Sequence, residues 1–227
     1  MKKLNKFEKI KNDKRIIEVY NKISEFEDLD KGWAHHNLYH VKNVAKLVES
    51  LLRKLDYDEN FIEEAKIAAI LHDTGAIEGK KNHAIRSYNF AKQYFENNNI
   101  ILENKDLVLE AIKIHSDGFD SNNIIALTLI LSDKLDIKYT RVAKEGYYVK
   151  GMRELQYIKD ILVDISNSDL EIKFFCDDKI NKSELEEFYF ITKVFKAIIA
   201  FSKKMNLNAK VLFNNDEWKL FNDMLQR

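Results

Sequence analysis

From Asn37 to Leu55 the apolar residues Leu38, Val41, Val44, Ala45, Val48, Leu51 and Leu52 recur at spacings of three and four. That is the period of a helix with one buried face, and Asn37 stands where an N-cap belongs. The same reading places helices from Glu59 to His72, halted at Gly75, and from about Asn82 onward, with Ala84, Ile85, Tyr88, Ala91, Tyr94 and Phe95 on one side. A fourth runs from Lys105 to His115 and ends at Ser116-Asp117-Gly118. A fifth, Asn123 to Lys138, is apolar almost all round in IIALTLILS, which predicts a central buried helix. There is no proline, so clusters of Gly, Asn, Asp and Ser must end these helices. Beyond Gly151 the pattern changes. After one further helix, DLEIKFFC (Asp169 to Cys176) and AKVLFNN (Ala209 to Asn215) read as short strands flanking a long helix from Ser183 to about Met205. The expected architecture is mainly α: a helical bundle over 1–141 with its core at about 33–138, then a small C-terminal α/β appendage over 142–227. Phe188, Tyr189, Phe190 and Trp218 of that appendage suit a core, a lid or the face of a homodimer.

Composition changes this picture little and narrows the partners. The chain has 227 residues, 45% apolar and 33% charged, as a folded globular protein has. Its 37 basic and 37 acidic residues cancel, so no global field recruits nucleic acid or an anionic membrane. No basic stripe with interleaved aromatics suggests a nuclease, which leaves a small molecule as the expected partner. The basic stretch MKKLNKFEKIKNDKR is followed by no apolar run, so it reads as a solvated helix with fraying ends rather than a secretory signal. Apolar runs such as Ile124 to Leu131 fall far short of the roughly 20 residues that a bilayer span needs. Cys176 is the only cysteine, which excludes an intrachain disulfide and a Cys-based zinc site, fits a reducing cytoplasm, and marks a small core residue rather than a nucleophile.

The chemistry lies in the histidines. All six fall between His35 and His115. His40 sits on the first turn of its helix, His72 with Asp73 at the end of the next, His83 at the start of the third and His115 at the end of the fourth. Helix ends are where side chains from separate elements converge, and imidazole with carboxylate is the ligand set preferred by divalent Mn, Fe, Co, Ni or Zn. Asp133 lies within the most hydrophobic helix, in LILSDKLD, where a carboxylate needs a cation. Taken alone, without the histidines, it reads better as an Asp paired with Lys134 or capping a nearby helix end.

In order and helical context, His40, His72-Asp73 and Asp133 resemble the H…HD…D signature of the HD superfamily of metal-dependent phosphohydrolases. The strings HVKNV, AAILHDTG and LILSDKLD resemble their counterparts there, and the likeness covers about residues 33 to 138. It implies an HD-domain helical bundle. His83 and His115 extend the likeness to the H…HD…H…H…D order of two-metal members such as the HD-GYP phosphodiesterases and diadenosine tetraphosphate hydrolases. By that analogy one ion takes His40, His72, Asp73 and Asp133, and a second takes His83 and His115 with Asp73 bridging. Ser116 follows His115 where the HD-GYP pattern has another His, and the GYP signature is missing, which argues against that subgroup.

The resemblance implies hydrolysis of a nucleotide or small phosphate ester by metal-activated water, with one or two divalent ions per chain; Mg is also compatible. Asp73 and Lys134 are the expected catalytic residues, with His36, Lys81 and Arg86 contacting substrate. Lys80 is a further cation in the same neighbourhood, and His35 is expected to pack or be solvated. Two readings compete: a di-iron oxygenase, which HD folds with this ligand order also support, and a module that senses a nucleotide without turnover.

Overall fold

The computed structural model describes residues 5–29 and 33–226. Seven helices come first: α1 (Lys6–Lys11), α2 (Lys14–Leu29), α3 (Leu38–Lys54), α4 (Glu59–Leu71), α5 (His83–Asn97), α6 (Lys105–Ile114) and α7 (Ile124–Leu135). Three short 3-10 turns lead to β1 (Ile158–Ser166) and β2 (Asp169–Cys176), then α8 (Lys182–Glu187), α9 (Tyr189–Met205), β3 (Asn208–Phe213), β4 (Asp216–Glu217) and α10 (Lys219–Leu225). The protein is mainly helical with a small α/β appendage.

Two hydrophobic cores share α7. Ile125, Ala126 and Leu129 face a cluster built from α1 to α6, while Leu127, Ile130, Leu131 and Leu135 face a second cluster built with α9 and the sheet. A helix that forms a wall of both cores has no solvent face, which is why IIALTLILS is apolar all round. In the sheet, β2 pairs antiparallel with β1 and parallel with β3, β4 closes antiparallel on β3, and α8 and α9 make the crossover. Asn167 and Ser168, both at positive φ, form the two-residue turn between β1 and β2. Trp218 is fully buried between Phe174 and Phe195, edge-on to each at 5.1 Å.

Several expectations need correction. The amino-terminal stretch is docked, not solvated: Phe7 and Ile10 are buried in the first core, and the Phe7 amide donates to Glu63 Oε1 at 3.0 Å. Residues 1–4 of that stretch lie outside the described ones. The core accordingly begins ahead of residue 33, with Ile16, Tyr20 and Ile23 of α2 also buried. The helix expected after Gly151 is a 3-10 turn followed by β1, whose β-branched Ile and Val residues pair along β2. The long helix from Ser183 is broken at Phe188, which is extended (φ −71°, ψ 116°) and packs against Gly151, where a Cβ would meet it at 2.5 Å. Finally, α7 stops at Leu135, not Lys138, because Asp136 leaves helical geometry.

Candidate metal centre

Local structure fixes each histidine. Asn37 caps α3 by accepting from the His40 amide at 3.0 Å, so His40 occupies the first turn as the sequence requires. His72 and His115 are the residues on which α4 and α6 end, and His83 opens α5. Asp73 follows His72 directly, its turn pinned by Thr74 Oγ1 donating to the Leu71 carbonyl at 2.9 Å. Asp133 points in from the last turn of α7. All except His83, which is half-buried, are buried.

These side chains form two groups able to hold a metal ion: His40, His72, Asp73 and Asp133, and Asp73, His83 and His115. Asp73 belongs to both. Its Oδ2 lies 3.1 Å from His72 Nε2 and 3.5 Å from His40 Nε2, while its Oδ1 lies 3.3 Å from His83 Nε2 and 3.5 Å from His115 Nε2. Asp133 Oδ1 completes the first group, 3.2 Å from His40 Nε2 and 3.7 Å from His72 Nε2. Ligands about 2.1 Å from one ion at tetrahedral or octahedral angles stand roughly 3.0–3.4 Å apart, so these spacings suit a cation.

The hydrogen bonds say the same. Each of the four imidazoles has its Nδ1 on an acceptor: Asp136 Oδ2 for His40 (2.7 Å), and the carbonyls of Ala69 for His72 (2.7 Å), Lys80 for His83 (2.8 Å) and Ile112 for His115 (2.8 Å). With Nδ1–H so committed, each Nε2 presents a lone pair that a proton or a metal must occupy. His40 Nε2, His72 Nε2 and Asp73 Oδ2 are buried with no hydrogen-bond partner among the described residues, and His83 Nε2 faces His115 Nε2 at 2.9 Å. Two imidazole lone pairs do not meet at that distance without a positive charge between or beside them. The donor set therefore fits one ion in each group.

Electrostatics follow from the crowding. Burial would lower the His72 pKa, but Asp73 and Asp133 outweigh it and hold the imidazole at about 10 in the metal-free protein. Burial would raise the Asp73 carboxyl, but the imidazoles, His72 foremost, keep it well below the carboxylate range. Burial carries His115 down to about 4, leaving it neutral. Asp133 Oδ2 accepts from Lys134 Nζ at 2.6 Å, so the ion pair expected of this Asp coexists with its place in the metal group. Lys134 is itself buried and also donates to the His115 carbonyl at 3.4 Å. It braces two candidate ligands.

The other anticipated residues divide. His36 stands in a pocket beside the centre, its amide donating to Glu27 Oε2 at 2.8 Å and its Nδ1 in a short bond with Glu27 Oε1. Arg86 spends three of its five N–H donors on the carbonyls of Gly75 (2.8 Å), Lys81 (2.6 Å) and Gly79, which shapes the turn between Asp73 and His83. Lys81 is exposed, and its neighbour Lys80 lines the pocket instead. His35 is half-buried, its amide donating to the Arg141 carbonyl at 2.9 Å. Sequence reasoning missed Glu27, Asp136 and Arg141. Asp136 was within reach, lying three residues beyond Asp133 at the C-cap of the same helix, whereas Glu27 and Arg141 come from segments with no motif around them.

Residues 37–138 match the family model of the HD domain. The chain carries an HD domain. The matched segment opens on the cap that orients His40 and closes just past Asp136, so it contains every member of both ligand groups. HD domains occur in metal-dependent hydrolases, and the match covers somewhat less than half of the chain. No curated protein matches the chain. Among the described residues no helix is long and apolar enough to cross a membrane.

Proposed function

We propose that this protein is a metal-dependent phosphohydrolase acting on a nucleotide or a small phosphate ester. The observation that carries the reading is Asp73, whose two carboxylate oxygens face different histidine groups 3.1–3.5 Å away. His40, His72, Asp73 and Asp133, and Asp73 with His83 and His115, would hold divalent Mn, Fe, Co, Ni or Zn, which would supply Lewis acidity towards water and phosphoryl oxygens. The chain's own residues supply the remainder. Lys134 holds Asp133 in place through Oδ2, leaving Oδ1 beside His40 and His72. Glu27, against His36 Nδ1, fixes that ring in the pocket wall, and burial holds the imidazole well below its usual pKa, so the neutral ring can accept a hydrogen bond or a proton at its other nitrogen. Arg141 supplies positive charge 3.8 Å from Asp133 Oδ1. The appendage closes the pocket with Phe188 and Phe190 and excludes water.

The test is release of inorganic phosphate from nucleotides and phosphate monoesters by protein loaded with each divalent ion in turn, run with and without oxygen. Equal turnover in both atmospheres supports hydrolysis. Turnover that consumes oxygen would establish the oxygenase instead, and tight nucleotide binding without turnover would establish a sensing module.

A further inference from the structure

Most of the wall of the pocket beside the centre comes from outside the segment 37–138. One side is charged, with His36, Lys80 and Arg141; the other is apolar, with Trp33, Phe188 and Phe190; and the enclosed space is about 70 Å³. Arg141 is 7% exposed. Its Nη2 sits 3.8 Å from Asp133 Oδ1, and its Nη1 is buried with no hydrogen-bond partner among the described residues. A buried guanidinium N–H without an acceptor is costly to keep, and its planar fork of donors matches the oxygens of a phosphoryl group.

The backbone holds this arginine ready. The His35 amide donates to the Arg141 carbonyl at 2.9 Å, and the Ala143 amide to the Trp33 carbonyl at 3.0 Å, around an antiparallel bridge between Ala34 and Val142. Gly146 permits the approach, since a Cβ there would run into the Trp33 carbonyl oxygen. Trp33, His36 and Arg141 are thus fixed relative to one another before any ligand arrives. Opposite them, the break at Phe188 that separates α8 from α9 turns Phe188 and Phe190 into the pocket, their rings stacked at 6.2 Å, with Lys134 Nζ 5.8 Å from the Phe190 ring centre.

We propose that this pocket is a substrate subsite in which Arg141 takes the phosphoryl oxygens while Trp33, Phe188 and Phe190 take a ring on the same molecule, selecting ring-bearing phosphate esters over alkyl or polyol ones. The inference rests on the phosphohydrolase reading in placing a phosphoryl group beside the metal centre. Trp33 reports on the site, because the only other tryptophan, Trp218, is fully buried in the appendage.

The experiment titrates the metal-loaded full chain with phenylphosphonate and with methylphosphonate, neither of which has an ester bond, and follows Trp33 fluorescence. Phenylphosphonate should bind about tenfold more tightly or better, as ring burial against aromatic walls predicts. Phe190→Ala should cut that preference to about threefold or less. Arg141→Gln should weaken both ligands by about tenfold or more and leave their ratio unchanged. Should Arg141→Gln not fold, Arg141→Lys, which keeps the charge without the fork, decides the point by a loss of about threefold or more. Equal affinity for the two phosphonates in the wild type, or unchanged binding in the Arg141 variant that folds, overturns the proposal. Phenyl phosphate hydrolysis by the same proteins separates the two claims. Selective phosphonate binding without hydrolysis leaves the subsite standing and sinks the phosphohydrolase. Hydrolysis with neither ring preference nor dependence on Arg141 does the reverse.

Discussion

Asp136 touches no candidate metal position, yet it should control metal affinity. Its Oδ2 accepts from His40 Nδ1 at 2.7 Å, and Asn43 Nδ2 approaches Oδ1 at 3.4 Å. Burial would raise the Asp136 carboxyl, but His40 outweighs burial and keeps it ionised. The carboxylate therefore fixes the His40 tautomer and pushes electron density towards Nε2, the ligating atom. Asp136→Asn keeps an acceptor of the same shape and removes the charge, so metal affinity should fall by about tenfold, or about 1.4 kcal/mol. Asp136→Ala removes the acceptor and leaves a buried N–H unpaired, so the loss should approach about 100-fold. Competition against a fluorescent chelator reads these constants, with circular dichroism verifying the fold. If both variants bind metal within about twofold of the wild type, Asp136 does not prepare His40 Nε2 for a metal and this part of the account fails.

Further perturbations probe other parts of the account. His72, raised from 6.5 to about 10, stabilises the metal-free fold below pH 6.5 and loses that contribution as the pH rises through about 10. Metal must displace the same proton, so affinity should climb by up to about tenfold per pH unit between 7 and 9, and a flat profile in chelator competition would contradict the assignment. Gly75→Ala would drive a Cβ into the His83 carbonyl oxygen and to 2.5 Å from the Ser87 amide, displacing the start of α5. Metal analysis should show the His83–His115 position lost and the other retained; full loading would refute the close approach. Phe7→Ala, removing a ring that is 5% exposed with Lys66 Nζ 4.3 Å from its centre, should cost about 3 kcal/mol in urea denaturation. A change below about 1 kcal/mol would mean that α1 is not docked in solution.

The helices of the HD domain were legible because each buries one face, and a one-sided helix writes its period into the sequence. Asn37, Asp58 and Asn123 mark three of their starts as side-chain caps. The six metal-group residues were legible because histidine and aspartate are costly at buried helix ends without a cation. What escaped detection depends on contacts between distant segments. Phe7 and Ile10 look like a frayed helix until α4 is beside them, and β1 reads as helix because its apolar residues do not alternate cleanly. Arg86 is a cation near a metal motif by sequence, but the fold commits it to three backbone carbonyls. Glu27 and Arg141 acquire meaning only once α2 and the turn after α7 meet at His36 and Asp133.

The central claim, a paired metal centre sharing Asp73, is tested most directly by metal content per chain after loading, in the wild type and in His83→Ala with His115→Ala. The account predicts close to two equivalents in the wild type and close to one in the double variant, because His40, His72, Asp73 and Asp133 remain. One equivalent in the wild type, unchanged in the variant, would contradict it.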